Sequence, residues 1–590
     1  MKLLYIPFAF LALSSCNTES EQNKESTQTS STQTLSTTDS DTQTETHSSD
    51  FTDTSSITHE ETETETETLT DTSSNTSTNK QNNKTDTYVS TDSYTFDMSD
   101  LTPEKGFTIL SGQTNAFFGW AATGVGDVNN DGIDDFVIGA HSANVPEFDN
   151  GVVYLYLGKE GLTEQEIIAD SRNESEAIII HGERNNSYIG YSLSAAGDVN
   201  GDGIDDFILG TDEEENFKVQ NFGAAYIIFG RNTWDKKINL GEPDNTSFVR
   251  IHGQSIRDEQ LGLRVAGNGD FNGDNLQDII VAAERTYINN IYTGAVYVIY
   301  GRSQWDSFVD VTQLNDNDGF MVEAHSELRR IGEEASMLND INNDGLDEIM
   351  FSGYVTGEDS DAYCFIIYGT EQQISTKFNT SELDGNNGFY FKMQAGSGCL
   401  AIGNVGDINN DGLNDYAVGD SIFNRDNNFR TSEGAVNIIF GNLESKSTRS
   451  DSLTLDGSNG FSMYGQIFPD HSPYLGNEII ALGDFNGDGI DDFSVSERLE
   501  YGTKSIYIIF GSNRDWPAEL DVQNLSESYG VTINWPAVDG SIAFSLNAAG
   551  DVNNDGYDDI ILSDYTADHD NDEYNEGLVH IIYGFDPEAK

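Results

Sequence analysis

The sequence predicts an all-β protein: a seven-bladed β-propeller of four-stranded antiparallel blades, preceded by a disordered linker. Three observations carry this. A nine-residue acidic pattern recurs seven times, its first aspartates at Asp127, Asp198, Asp270, Asp340, Asp407, Asp484 and Asp551, spaced 67 to 77 residues apart. A steady period of that length marks an array of like units. Each unit carries the same four short strand signals, and radial repetition is one way to protect the edges of such strands. Finally, an extra run, Gly106–Leu110, precedes the first loop, while the last unit holds only three. The N-terminal run is therefore expected to pair near Val579–Tyr583 and complete blade seven.

The four runs are easily followed. Small and apolar residues lead into each loop, as in Ala121–Val125, Ser194–Gly197 and Leu546–Gly550, and suit a crowded axis. A β-rich run such as Asp135-Phe-Val-Ile-Gly139 follows the loop. The third run ends in glycine, as in Gly151–Gly158, Gly223–Gly230, Gly294–Gly301 and Gly577–Gly584. The fourth reads Ser247–Gly253, Gly388–Phe391 or Gly460–Met463.

Ahead of the array, residues 1–15 form a signal peptide: Met1-Lys2 and an apolar Leu3–Leu13, too short to span a bilayer. Leu13-Ser14-Ser15-Cys16 resembles a bacterial lipobox, which implies lipidation of Cys16. Asn17 in place of Asp resembles sorting to an outer membrane. The expected location is the bacterial cell envelope, at the outer membrane or cell surface, held only through lipid. Residues 16–100 are a Ser/Thr-rich acidic tether, too poor in large apolar residues to offset its ordering entropy. As a flexible coil it reaches about 50 Å, more with charge repulsion. Residues 101–590 are assigned to the propeller.

Each loop has the composition of a calcium cage. Ca²⁺ takes several oxygens from carboxylates, amides, backbone carbonyls and water. Positions one, three, five and nine supply side chains, and position seven supplies a carbonyl. The first set is Asp127, Asn129, Asp131, Ile133 and Asp135; the second is Asp198, Asn200, Asp202, Ile204 and Asp206. Next come Asp270, Asn272, Asp274, Leu276 and Asp278, then Asp340, Asn342, Asp344, Leu346 and Glu348. The last three are Asp407, Asn409, Asp411, Leu413 and Asp415; Asp484, Asn486, Asp488, Ile490 and Asp492; and Asp551, Asn553, Asp555, Tyr557 and Asp559. Up to seven calcium ions are expected. Asn275 replaces the turn glycine of the third loop and Glu348 the last aspartate of the fourth, so these two sites are expected to be weaker.

An EF-hand needs a bidentate Glu at position twelve. Here that position is Ile138, Leu209, Val281, Phe351, Val418, Val495 and Leu562, and a strand follows instead of a helix. Metal-free Asx turns would explain the loop shape. They would not explain several carboxylates at fixed offsets, which repel one another without a cation.

The units resemble FG-GAP repeats, those of the integrin alpha-subunit propeller and of many bacterial surface proteins. Phe118-Gly119 and Gly139-Ala140 carry the two halves of the motif; Ile189-Gly190, Leu261-Gly262 and Leu475-Gly476 are degenerate copies, and the proline is absent. The resemblance covers about 105–584. It implies the propeller and calcium, and adhesion or extracellular interaction as a function.

A formal charge of −72 excludes nucleic acid and anionic lipid as principal partners. Seven calcium ions would leave −58. Cys364 and Cys399 are not spaced like a disulfide framework and are expected to be buried free thiols. No zinc-type His-Glu-x-x-His or Gly-x-Ser-x-Gly elbow occurs, so no catalytic residue is assigned. His181 and His252 share a repeat position, which argues for a structural role. The expected function is a calcium-binding adhesion module for a surface protein or glycan. An enzyme with a site at the axis and a structural envelope component are the alternatives.

In such blades the 1–2 and 3–4 connections share one rim with the acidic loops. The other rim collects the irregular segments: His141–Asn150, Thr211–Asn221, Glu284–Thr293, Gly353–Asp361, Asp420–Glu433 and Ser563–Glu576. Those loops, with Tyr287, Tyr292, Tyr354, Phe423, Phe429, Tyr565 and Tyr574, are the expected partner face.

Overall fold

The computed structural model describes residues 94–587, except 144–150, 163–165, 170–175, 183–186, 212–222, 242, 254–259, 289–290, 326–327, 356–360, 394–397, 426–431, 443–448, 451–453, 467–471, 498–503, 536–544 and 568–574. The signal segment, Cys16 and the tether up to residue 93 lie outside the described residues, as do Phe429, Tyr574 and much of the irregular rim.

Seven sheets of like order make a seven-bladed propeller. Blade 1 runs Phe118–Gly126, Asp135–Ala140, Val152–Tyr156 and Ile178–His181, each antiparallel to the next. Blades 2 to 6 repeat it, with inner strands beginning at Ile189, Arg264, Ala335, Ala401 and Ile479. Blade 7 takes Ser545–Gly550, Asp559–Asp564 and Leu578–Ile582 from the C-terminal end, then Gly106–Ser111 from the other. The closing register is Gly106↔Ile582 through Leu110↔Leu578, at the place the sequence predicts.

The second strands are buried along their whole length save for Tyr354 and Val355 in blade 4, and the fourth strands of blades 2 and 3 alternate. Blades stack face to face, so their middle strands are covered on both sides and read as unbroken apolar runs. The core therefore lies between blades. Phe107, Phe136, Ile138, Val579 and Ile581, from blades 7 and 1, share one such layer. Near the axis, a Cβ on Gly267 of blade 3 would come within 2.9 Å of the Ala195 carbonyl oxygen of blade 2. Small residues there are a steric requirement.

The two halves of the repeat motif meet across blades. Gly190 has φ +82°, and a Cβ on it would lie 3.0 Å from the Cα of Gly139 in blade 1. The Phe-Gly half of one blade thus needs the Gly-Ala half of its neighbour to lack a side chain.

Two features differ from the sequence reading. Every blade gains a fifth strand, parallel to the fourth. It comes from the 3–4 connection of the following blade: Lys237–Asn239 lies on blade 1, Phe308–Asp310 on blade 2, Lys377–Asn379 on blade 3, Arg449–Ser450 on blade 4 and Glu519–Leu520 on blade 5. Tyr94–Asp97 lies on blade 6 and Glu166–Ala169 on blade 7. These short straps cover outer edges that would otherwise present unpaired N–H and C=O groups.

The second difference is a correction. Cys364 and Cys399 are not free thiols but form a disulfide, with Cα atoms 6.0 Å apart. Cys364 sits on the third strand of blade 4, and Cys399 enters the inner strand of blade 5. Neighbouring blades place them side by side, which their sequence separation of 35 does not reveal.

Candidate metal centres

All seven acidic loops join the first and second strands of their blades, on one rim, and all wind alike. The position-two side chain, from Val128 and Val199 through Val552, is buried beneath the loop and pins it to the blade. Position four, Gly or Asn, takes positive φ in every copy, as at Asn130, Gly201, Gly273, Asn343, Asn410, Gly487 and Asn554. Asn275 does so at position six (φ 66°), so it serves the third loop in place of glycine.

The first carboxylate holds the turn. Asp127 accepts N–H bonds from Asp131 (3.0 Å) and Gly132 (2.6 Å). Asp198, Asp270, Asp340, Asp407, Asp484 and Asp551 accept the matching pair. The position-five carboxylate accepts the N–H of position seven: Ile133 to Asp131, Ile204 to Asp202, Leu276 to Asp274, Leu346 to Asp344, Leu413 to Asp411, Ile490 to Asp488 and Tyr557 to Asp555. These oxygens keep further lone pairs for a cation.

The ninth residue is fully buried in every copy. Asp135 accepts from Val128 N–H at 3.1 Å and from Gly158 N–H at 2.8 Å. Gly230, Gly301, Gly441, Gly511 and Gly584 donate likewise to Asp206, Asp278, Asp415, Asp492 and Asp559. The glycine ending the third strand is thereby tied to the ninth carboxylate in six of the seven blades. Burial first, and then the carboxylates at positions one and five, push the carboxyls of Asp135, Asp206, Asp415 and Asp492 up to about 8. Glu348 is pushed up to about 9, and Asp278 and Asp559 are strongly raised. Such crowding of buried like charges is relieved by a cation.

The donor set fits a hard cation on a further observation. Asn409 Oδ1, Asn553 Oδ1 and Asp415 Oδ2 are buried without a hydrogen-bond partner. These are oxygens at positions three and nine, the type calcium selects. In the fourth loop, Asp340, Asp344 and Glu348 each place a carboxylate oxygen within 4.8 Å of the others. The longer Glu348 arm therefore reaches the cage, in one of the two loops expected to be weaker.

Sequence reasoning missed position eight. The N–H of Asp127 donates to Asp205 of the next blade at 3.1 Å. Asp270 donates to Asp347 (2.6 Å), Asp407 to Asp491 (2.8 Å), Asp484 to Asp558 (2.7 Å) and Asp551 to Asp134 (3.0 Å), the last across the ring closure. Each loop thus latches onto the one behind it. Gln277 and Asn414 stand at the other two interfaces, where backbone bonds to Asp198 and Asp340 do the joining. The signal was an aspartate at position eight in five of seven copies.

On the opposite rim, Trp120 packs among His141 (4.5 Å between ring centroids), Tyr565 (4.7 Å) and Tyr191 (5.2 Å). Tyr287 and Tyr292 face each other in a small hairpin, and Phe423 stacks near Tyr464. Tyr354 lies within the second strand of blade 4. His181 and His252 end fourth strands, each with Nδ1 beside the following glycine carbonyl. Among the described residues, no helix is long and apolar enough to cross a membrane.

The FG-GAP repeat pattern matches residues 118–156 and 189–228. The chain is similar to integrin alpha-5 of Xenopus laevis, 25% identical over 196 residues, 32% of this chain and 16% of that one. Integrin alpha-V of Gallus gallus is 30% identical over 193 residues, 32% of this chain and 16% of its own. A phosphatidylinositol-glycan-specific phospholipase D of Dictyostelium discoideum is 29% identical over 246 residues, 39% of this chain and 24% of its own. The matches thus span about a sixth to a quarter of these relatives' lengths.

Proposed function

We propose that this propeller is a calcium-dependent adhesion module, carried outside the cytoplasm on a lipid-anchored tether and binding a surface protein or glycan. The observation that carries the calcium is the sevenfold cage, with its buried ninth carboxylate and unpartnered oxygens in a ring of hard donors. The integrin alpha likeness supports adhesion. The Cys364–Cys399 disulfide suits an oxidising compartment, in keeping with the signal segment and with Cys16 as the lipid-bearing residue. An enzyme remains the second reading because of the phospholipase match, although the sequence offers no catalytic motif.

The test uses the full chain. Cys16→Ser is expected to move it from the membrane to the soluble fraction, and the purified variant to bind cell surfaces in calcium and release in EDTA. Membrane pelleting of the variant would end the anchor. Surface binding indifferent to EDTA would end the calcium dependence.

A further inference from the structure

We infer that a cleft of about 840 Å³ between the second acidic loop and the strap from blade 3 binds a neutral saccharide. This deepens the adhesion reading, and rests on it, by naming a ligand class and a place. The place is the rim of the acidic loops, where Asp202 meets the segment Arg302–Leu314, and not the rim of irregular loops.

The floor is rigid and aromatic. Trp305 is buried, its Nε1–H directed at the Val199 carbonyl (3.4 Å) and its ring covered by the Arg302 guanidinium at 4.3 Å. Phe308 stands at the lip on the strap, 52% exposed. Asn245, Asp306 and Gln313 line the wall. Asn245 spends its Nδ2 on the Trp305 carbonyl (2.8 Å), and Gln313 its Nε2 on Thr312 (3.2 Å), which leaves each an amide oxygen as acceptor.

The lining selects among ligands. Arg302, the one cation in it, is committed to the Asp318 carboxylate (2.7 Å), the Asp318 carbonyl (3.2 Å) and the Tyr300 carbonyl (3.2 Å), so an anion finds no free partner. Amides and carboxylates around the opening disfavour an apolar ligand. A basic peptide is the competing ligand, because Asp202, Asp306 and Asp310 line the cleft, whereas Asp318 is committed to a cation, Arg302. The cleft presents the exposed Phe308 ring beside the amide oxygens of Asn245 and Gln313 and the Asp306 carboxylate. That matches a sugar ring, whose C–H face packs on an aromatic surface while its hydroxyls donate to convergent oxygens.

The experiment is a glycan array probed with the full chain in calcium, alongside an array of Lys/Arg-rich peptides, with Phe308→Ala and Asn245→Ala as variants. Neutral glycans are expected to bind, at least about tenfold more weakly in either variant. The melting temperature of Phe308→Ala is expected unchanged because that ring is half exposed, and that of Asn245→Ala lowered by the loss of its bond to Trp305 and by its positive φ. Absence of neutral-glycan binding, equal binding by both variants, or capture of basic peptides that the same variants abolish would overturn the cleft assignment. Cell adhesion that persists undiminished in both variants would also reject the cleft, while leaving the adhesion reading standing.

Discussion

Replacing Asp492 by alanine separates the two jobs given to a ninth carboxylate. Its oxygens accept the Asn486 N–H at 3.0 Å and the Gly511 N–H at 2.9 Å, all within the core. Alanine strands two buried backbone donors at about 1–3 kcal/mol each, so about 2–6 kcal/mol is lost whatever the metal. If the loop also holds calcium, wild type gains a further ~2.7 kcal/mol when the ion is at a hundred times its dissociation constant, and the variant forgoes it. The assay is chemical denaturation of both proteins, in millimolar calcium and again in EDTA. The gap between them is expected to be wider in calcium by about that amount. An identical gap in both buffers would refute the cage, leaving Asp492 only as a tie for the third strand.

Two other outcomes follow from single contacts. The Cys364–Cys399 link closes a separation of 35 residues, for which chain entropy gives about 4 kcal/mol; Cys364→Ala with Cys399→Ala should melt lower than wild type, and as reduced wild type does, while two titratable thiols in unreduced, denatured wild type would remove the bond. His580 accepts from or donates to Thr108 Oγ1 (2.8 Å) across the ring closure, and burial holds its imidazole down to about 4. A folded pKa below the unfolded 6.5 means that the unfolded chain binds the extra proton, so stability is full above about 6.5 and falls until pH 4. The loss is about 2–3 kcal/mol, trimmed by the ring's partial exposure, and a His580→Gln variant should show a shallower decline; an unchanged acid slope would refute the assignment.

The ring was legible because its determinants are local and repeated. Asp, Asn and Gly at fixed offsets report one turn, and the unpaired Gly106–Leu110 run reports where the circle shuts. The straps were not legible, since pieces such as Phe308–Asp310 are too short to show a period and owe their conformation to a neighbour's edge. The disulfide was hidden for a related reason: only the stacking of blades 4 and 5 brings Cys364 to Cys399. Position eight was visible as an aspartate but not as a latch, because its partner lies 74 to 84 residues away, or 417 for Asp134. The cleft at Trp305 likewise needs two blades before it exists.

The direction of the straps has a consequence for biosynthesis. Every blade waits for a piece made after it, except blades 6 and 7, which wait for pieces made near the start. The segment from Tyr94 to Ser111 emerges from the ribosome ahead of every other strand of the propeller, yet finds its partners, 472 positions away at Thr108–His580, only when translation is nearly finished. Until then at least two sheet borders stay open, and loop-closure entropy makes this the slow step. Chains cut short before residue 578 should therefore expose sticky margins and aggregate, however well their first blades have folded.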